Sequence, residues 1–98
     1  ELQGTLIADR GLKYLQSLTS LEYLDLHQTQ ITNRGLEYLQ SLTSLQHLNL
    51  YQTQITDEGL KHLESMKQLR DIDLRETSVT QAGVDDLKKA IPGLNVEF

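Results

Sequence analysis

Leu45-Gln46-His47-Leu48-Asn49-Leu50-Tyr51-Gln52-Thr53-Gln54-Ile55-Thr56 is the stretch on which the fold turns. Leu48 and Leu50 are apolar, and His47, Asn49 and Tyr51 alternate around them. A period of two is a β-strand with one buried face. Gln52 to Gln54 then turns the chain, and Ile55 re-enters the interior. Thr56 is a good N-cap type, with Asp57 and Glu58 in the first turn, where carboxylates meet the positive end of the helix dipole. Leu60, Leu63 and Met66 follow at spacing three, an apolar stripe on a short helix. Ser65 to Gln68 carries the chain back toward a new strand. One pass is therefore strand, turn, helix, return.

The same pattern lies on either side. Leu21-Glu-Tyr-Leu-Asp-Leu-His-Gln-Thr-Gln-Ile-Thr32 precedes it by 24 residues, and Leu69-Arg-Asp-Ile-Asp-Leu-Arg-Glu-Thr-Ser-Val-Thr80 follows at the same interval. Gly11, Gly35, Gly59 and Gly83 keep that interval along the chain. A fixed period between 20 and 50 residues marks a solenoid, in which one small unit stacks on copies of itself. The expectation is an α/β fold forming one domain over residues 1–98, built from about four 24-residue units. Strands fall near 22–26, 46–50, 70–74 and 94–98, and helices near 9–17, 33–41, 57–65 and 81–90. The strands run parallel because each helix returns the chain, and such crossovers are right-handed.

Matched positions form columns. A glycine early in a helix costs roughly 1 kcal/mol relative to alanine, so four in register imply close approach to a neighbouring unit. Thr29, Thr53 and Thr77, with Thr5 ahead of them, read as structural hydroxyls passing hydrogen bonds from one unit to the next. Lys13, Glu37, Lys61 and Asp85 alternate in sign on the helix side, a pattern that sets register between neighbours.

Leu21-x-x-Leu24-x-Leu26-x-x-Thr29-x-Ile31 resembles the leucine-rich repeat consensus, and the next two units match as well. Threonine stands where that family usually has asparagine or cysteine. Ile55-Thr-Asp-Glu-Gly-Leu60 looks like the ribonuclease-inhibitor-like and cysteine-containing branches, and is similar to short bacterial repeats with a Thr-Asp-x-Gly-Leu core. The resemblance implies a curved right-handed solenoid with parallel strands on the concave face and helices on the convex face. It also implies a binding role: members mostly bind proteins, and some bind glycans, lipids or nucleic acids. No catalytic residues belong to the family motif.

Composition narrows the classes. The 98 residues carry a formal charge of −5, which lacks the basic footprint of a nucleic-acid binder and is repelled by an anionic membrane surface. There is no cysteine for a disulfide or thiolate metal site. No apolar run approaches the roughly 18 residues that span a bilayer, and no signal segment opens the chain. The sequence assigns no compartment.

Alternation sends three columns to the concave face. Tyr23, His47, Asp71 and Asn95 form the first. Asp25, Asn49, Asp73 and Glu97 form the second. His27, Tyr51 and Arg75 form the third, with Gln3 ahead. Tyrosine and arginine are enriched at interface hot spots, so Tyr23, Asp25, His27, His47, Asn49, Tyr51, Asp71, Asp73 and Arg75 are the candidate binding residues for a protein partner. The bland alternative is a solvated sheet face. In the second column Asp73 stands beside Glu97, where like charges disfavour joint ionisation unless a cation or arginine intervenes; a hydrated file is the commoner outcome, so no metal or other cofactor is assigned. Asp25 and His27 share a face about 7 Å apart along the strand, half of a relay with no nucleophile beside it. His62 follows Tyr14 and Tyr38 in a helix-surface column. No catalytic residue is assigned and the chain is not read as an enzyme.

Glu1 and Leu2 align with Asp25 and Leu26, so the chain opens inside a strand. Gly93, Val96 and Phe98 take the slots of Leu69, Ile72 and Leu74. Uncapped ends suggest a piece of a longer array or self-association. A homodimer through the C-terminal edge strand, residues 94–98, is the alternative to the protein-binding module.

Overall fold

The computed structural model describes residues 9–98. The expectations that fall on Glu1, Leu2, Gln3 and Thr5 lie outside these residues. Four three-residue strands, β1 (Tyr23–Asp25), β2 (His47–Asn49), β3 (Asp71–Asp73) and β4 (Asn95–Glu97), form one parallel sheet in the order β1-β2-β3-β4. Helices alternate with them. These are α1 (Asp9–Leu12), continuing as a 3-10 turn over Lys13–Leu15; α2 (Leu36–Leu39), entered by a 3-10 turn over Asn33–Gly35; α3 (Asp57–Leu63); and α4 (Gln81–Ala90). Only α3 has carboxylates at its first two positions, Asp57 and Glu58, and it begins directly as α-helix. The Asn33-Arg34 start of α2 is 3-10, while α4 begins as α-helix at Gln81 with no carboxylate in its first turn, so first-turn charge alone does not set the difference. Among the described residues no helix is long and apolar enough to cross a membrane.

Register follows the repeat. Tyr23 pairs with His47, His47 with Asp71 and Asp71 with Asn95; Leu24, Leu48, Ile72 and Val96 stand in the next row. Leu24, Leu48 and Ile72 are buried in one continuous interior, joined by the rows Leu26-Leu50-Leu74, Ile31-Ile55-Val79 and Leu39-Leu63-Leu87. Each unit covers the apolar side of the next, which suits a chain too short for a thick globular core.

The last return departs from the arithmetic. Gly93 does not fill the slot of Leu69. It is exposed, with φ of +89°, and Leu94 is the buried residue. Leu45 and Leu69 each donate a backbone hydrogen bond to the residue three before; here Leu94 N–H donates to Ile91 O (3.1 Å) and Ile91 takes the buried place of Met66. The ten-residue α4 consumes one extra position, which is given back after Leu94: Leu94 leads directly into Asn95, whereas Arg70 separates Leu69 from Asp71.

The glycine column matches its expectation and acquires partners. A Cβ on Gly35 would stand 2.5 Å from Asp9 Oδ1, and one on Gly59 or Gly83 would strike Asn33 or Asp57. Those side chains need the space. Asp9 Oδ1 accepts Thr32 N–H (2.7 Å), Asn33 Oδ1 accepts Thr56 N–H (2.9 Å), and Asp57 Oδ1 accepts Thr80 N–H (2.8 Å). The second atom of each side chain meets the same threonine's hydroxyl. Thr56 thus holds the N-cap position, but its hydroxyl bonds the preceding unit and not its own helix. Lys13, Glu37, Lys61 and Asp85 form no ion pairs with one another among the described residues; Asp85 accepts from Gln81 of its own helix (2.8 Å). Exposed long side chains gain too little from such pairs to hold one geometry.

Candidate functional site

The outward sheet face begins with how each strand ends. Gln28, Gln52 and Glu76 have φ of 58°, 56° and 56°, a left-handed conformation that bends the chain inward. Two side chains brace each bend. The residue three before it accepts the N–H two positions on: Asp25 Oδ1 from His27 (3.1 Å), Asn49 Oδ1 from Tyr51 (3.0 Å) and Asp73 Oδ1 from Arg75 (3.0 Å). This is an Asx turn, open to Asp and Asn alike. From the far side Thr29, Thr53 and Thr77 donate their hydroxyls to Leu26, Leu50 and Leu74 O, each at 2.7 Å. The threonine hydroxyls therefore bond within their own unit, not from unit to unit. What crosses between units is a chain of amides: Gln28 Nε2 donates to Gln52 Oε1 (2.6 Å), and Gln52 Nε2 to Glu76 Oε1 (2.9 Å).

Hence the acidic column is largely committed within the chain. Asp25 is buried and also meets His27 Nδ1 at 2.6 Å. Asp73 holds Arg75 through two bonds, Nε to Oδ1 (3.0 Å) and a terminal nitrogen to Oδ2 (2.7 Å). The guanidinium keeps the Asp73 carboxyl below the usual carboxylate range against the opposing effect of burial, and Asp73 in turn raises Arg75. Of the two neutralising groups open to the pair Asp73 and Glu97, arginine is the one beside Asp73. Among the described residues no group of three or more His, Asp or Glu side chains is arranged to hold a metal.

Two rows of touching side chains flank this column. In one, the Tyr23 and His47 rings lie 6.1 Å apart at 39°, His47 Nδ1 meets Asp71 Oδ2 at 2.6 Å, and Asn95 Nδ2 donates to Asp71 Oδ1 (3.2 Å). In the other, the His27 and Tyr51 rings lie 6.4 Å apart, and the Arg75 guanidinium sits 5.3 Å from the Tyr51 ring centre. The Tyr51 hydroxyl donates to Glu76 (3.2 Å), a bond to an anion that raises its pKa.

A shallow trough of about 190 Å³ runs between the first row and the Asx column, floored at Leu48 and Ile72 and walled by Tyr23, His47, Asp71 and Glu97 among others. The sequence-predicted residues thus share one face, with Asp25 set below its surface. The list omitted Asn95 and Glu97, which line the trough, and Gln28, Gln52 and Glu76, which line a separate depression at the bends. Their signal was the 24-residue column itself. Asp25 and His27 are in contact, but Ser41, in a helix-side return, spends its hydroxyl on backbone carbonyls of Gln16 and Tyr38.

A family model described as Zer-1-like, Leucine-rich repeats matches residues 12–93. The match bears on the repeat family under a branch description different from the two that the Thr-Asp-x-Gly-Leu core resembles. No curated protein matches the chain.

Proposed function

The chain belongs to the Zer-1-like leucine-rich repeat family, and from that premise we propose that it is a protein-binding module whose partner lies across the outward face of the β1–β4 sheet, the face that the repeat architecture makes concave. The observation that carries this reading is the mutual support of the two rows. Tyr23, His47 and Asp71 brace one another, as do His27, Tyr51 and Arg75, with Asp25 and Asp73 holding the basic groups and Asn49 the turn beneath Tyr51. Side chains already ordered lose little rotamer freedom on binding. Tyr and Arg are also the types that contribute most at interfaces. The reading gives the face no catalytic role.

The test compares affinity capture by the natural chain, by Tyr51→Ala/Arg75→Ala, and by a helix-side control, Lys13→Ala/Tyr14→Ala. The partner is expected on the natural chain and the control and absent from the sheet-face variant, with mass in solution unchanged. Equal capture by all three removes the reading. Self-association is the second reading. The outer edge of β4 pairs with no strand among the described residues, and Phe98 beside it is 53% exposed. Sedimentation as a strict monomer at high concentration removes that one.

A further inference from the structure

The outward face is strongly unequal in charge. Its three columns carry the carboxylates Asp25, Asp71, Asp73 and Glu97 against the single cation Arg75, and Glu76 adds another carboxylate at the bend after β3. Arg75 is already spent on Asp73. Among the described residues no lysine or arginine lines the trough. Its β1 end has a different character: Tyr23 is 58% exposed, and among the described residues His47 is the one ring stacked against it. The other row shows what such a surface holds. There a guanidinium lies between a column carboxylate, Asp73, and a column aromatic, Tyr51. The trough offers the same two kinds of group more widely spaced: Asp71, which also meets His47 and Asn95, and Glu97 on its walls, and Tyr23 two strands from Asp71 at its end, with no guanidinium between them among the described residues.

We propose that the outward sheet face docks an extended basic segment of a partner protein, with an arginine or lysine side chain seated in the trough beside Asp71 and Glu97 and a second one, farther along the segment, against Tyr23. This rests on the protein-binding reading above and names the chemistry of the partner. A cation in the trough gains from carboxylates in a partly enclosed space, and one at its β1 end gains from the face of an aromatic ring. An extended segment presents every second side chain to one side, which matches a floor made by flat, adjacent strands. An acidic or phosphorylated segment is repelled by the same groups.

The probe is a fluorescein-labelled peptide in which arginine alternates with serine, followed by fluorescence anisotropy at physiological ionic strength. A peptide with glutamate in place of arginine is the charge-reversed control. Asp71→Asn/Glu97→Gln removes two charges from the trough without changing its shape. Glu37→Gln/Asp85→Asn removes two from the helix side and serves as the control for net charge. Expected are about tenfold or more weaker binding of the arginine peptide by the trough variant, less than about a twofold change for the helix-side variant, and no binding of the glutamate peptide. Tyr23→Ala is expected to weaken binding as well. Equal losses in the two charge variants mean diffuse attraction only and overturn the proposal, as does absence of binding to the natural chain. If the peptide fails while capture still depends on Tyr51 and Arg75, the basic-segment inference alone falls. If capture is indifferent to the sheet face, the underlying reading falls.

Discussion

Gly59 is where a single atom decides the spacing of two units. Alanine there gains roughly 1 kcal/mol of helix propensity. It also drives a methyl group into the Asn33 amide, which is holding both the N–H and the hydroxyl of Thr56. Displacing that amide costs about 1–3 kcal/mol in strain and lost hydrogen bonds. Gly59→Ala is therefore expected to lower stability by about 1 kcal/mol net, seen as a lower midpoint in denaturant. In Asn33→Ala the obstruction is gone, so the same glycine change there should be neutral or stabilising. A stabilising Gly59→Ala in the natural background would remove the close-approach account. The sequence showed that the glycines share a steric need. It did not show the partner, because Asn33 lies one whole unit away and only the stacked geometry brings it near. Gln28, Gln52 and Glu76 were less legible still. Nothing in glutamine announces a left-handed backbone, and the conformation holds because two flanking side chains and a neighbouring amide brace it.

At the scale of the element, each helix start is tied to the unit before it by one Asx side chain. Asp9, Asn33 and Asp57 do this with different chemistry. Thr32 and Thr80 donate their hydroxyls to a carboxylate, whereas Asn33 must point its oxygen at the Thr56 N–H and so turns its NH₂ to the hydroxyl, which accepts (2.6 Å). The bonds from Thr80, first from its hydroxyl and then from its N–H, hold the Asp57 carboxyl below its ordinary value. A depressed folded-state value means that Asp57 contributes its full stability above the unfolded carboxylate pKa of about 4 and loses it as pH falls through the lower folded value. Asp57→Asn can copy the Asn33 arrangement. It is expected to match the natural chain at pH 7 and to lose less stability below about pH 4. Asp57→Ala should cost about 1–2 kcal/mol at pH 7. Urea melts at pH 7 and pH 3 check both, and an Asp57→Asn variant with unchanged acid sensitivity would rule out this linkage. The strands themselves were readable in sequence to within a residue or two, since alternation and register are one-dimensional properties. The role of the Asx column was not. Asp25, Asn49 and Asp73 look like ligands on an alternating strand, and their use as turn acceptors appears only once the backbone bends.

For the whole molecule, the 24-residue period makes a claim stronger than any one contact: a unit is interchangeable provided its length is kept. Removing residues 45–68 joins Ser44 to Leu69 and leaves every column aligned. Asn33 would then face Thr80 as Asp57 does now, Leu36 would meet Val84, and Leu24 would lie beside Ile72. Removing residues 46–68, one fewer, joins Leu45 to Leu69 and displaces each following column by one, so the strand that buries Ile72 must slip or present it to water. A stack held by nearest neighbours tolerates the first change and not the second. The 24-residue deletion should fold and melt in one transition at lower denaturant, with circular dichroism and tyrosine fluorescence coincident. The 23-residue deletion should lose cooperativity. One such transition in the natural chain would also support residues 1–98 as a single folding unit. The return before β4 tempers the rule in an instructive way, because an extra residue taken up by α4 is given back there, Leu94 leading straight into Asn95 where Arg70 separates Leu69 from Asp71. Removing Arg70 as well from the 23-residue deletion, so that Leu69 leads straight into Asp71 as Leu94 does into Asn95, should therefore restore folding by the same route. Failure of that rescue, with the 24-residue deletion intact, would mean that the shift before β4 depends on the length of α4 and not on the shortened step into the strand.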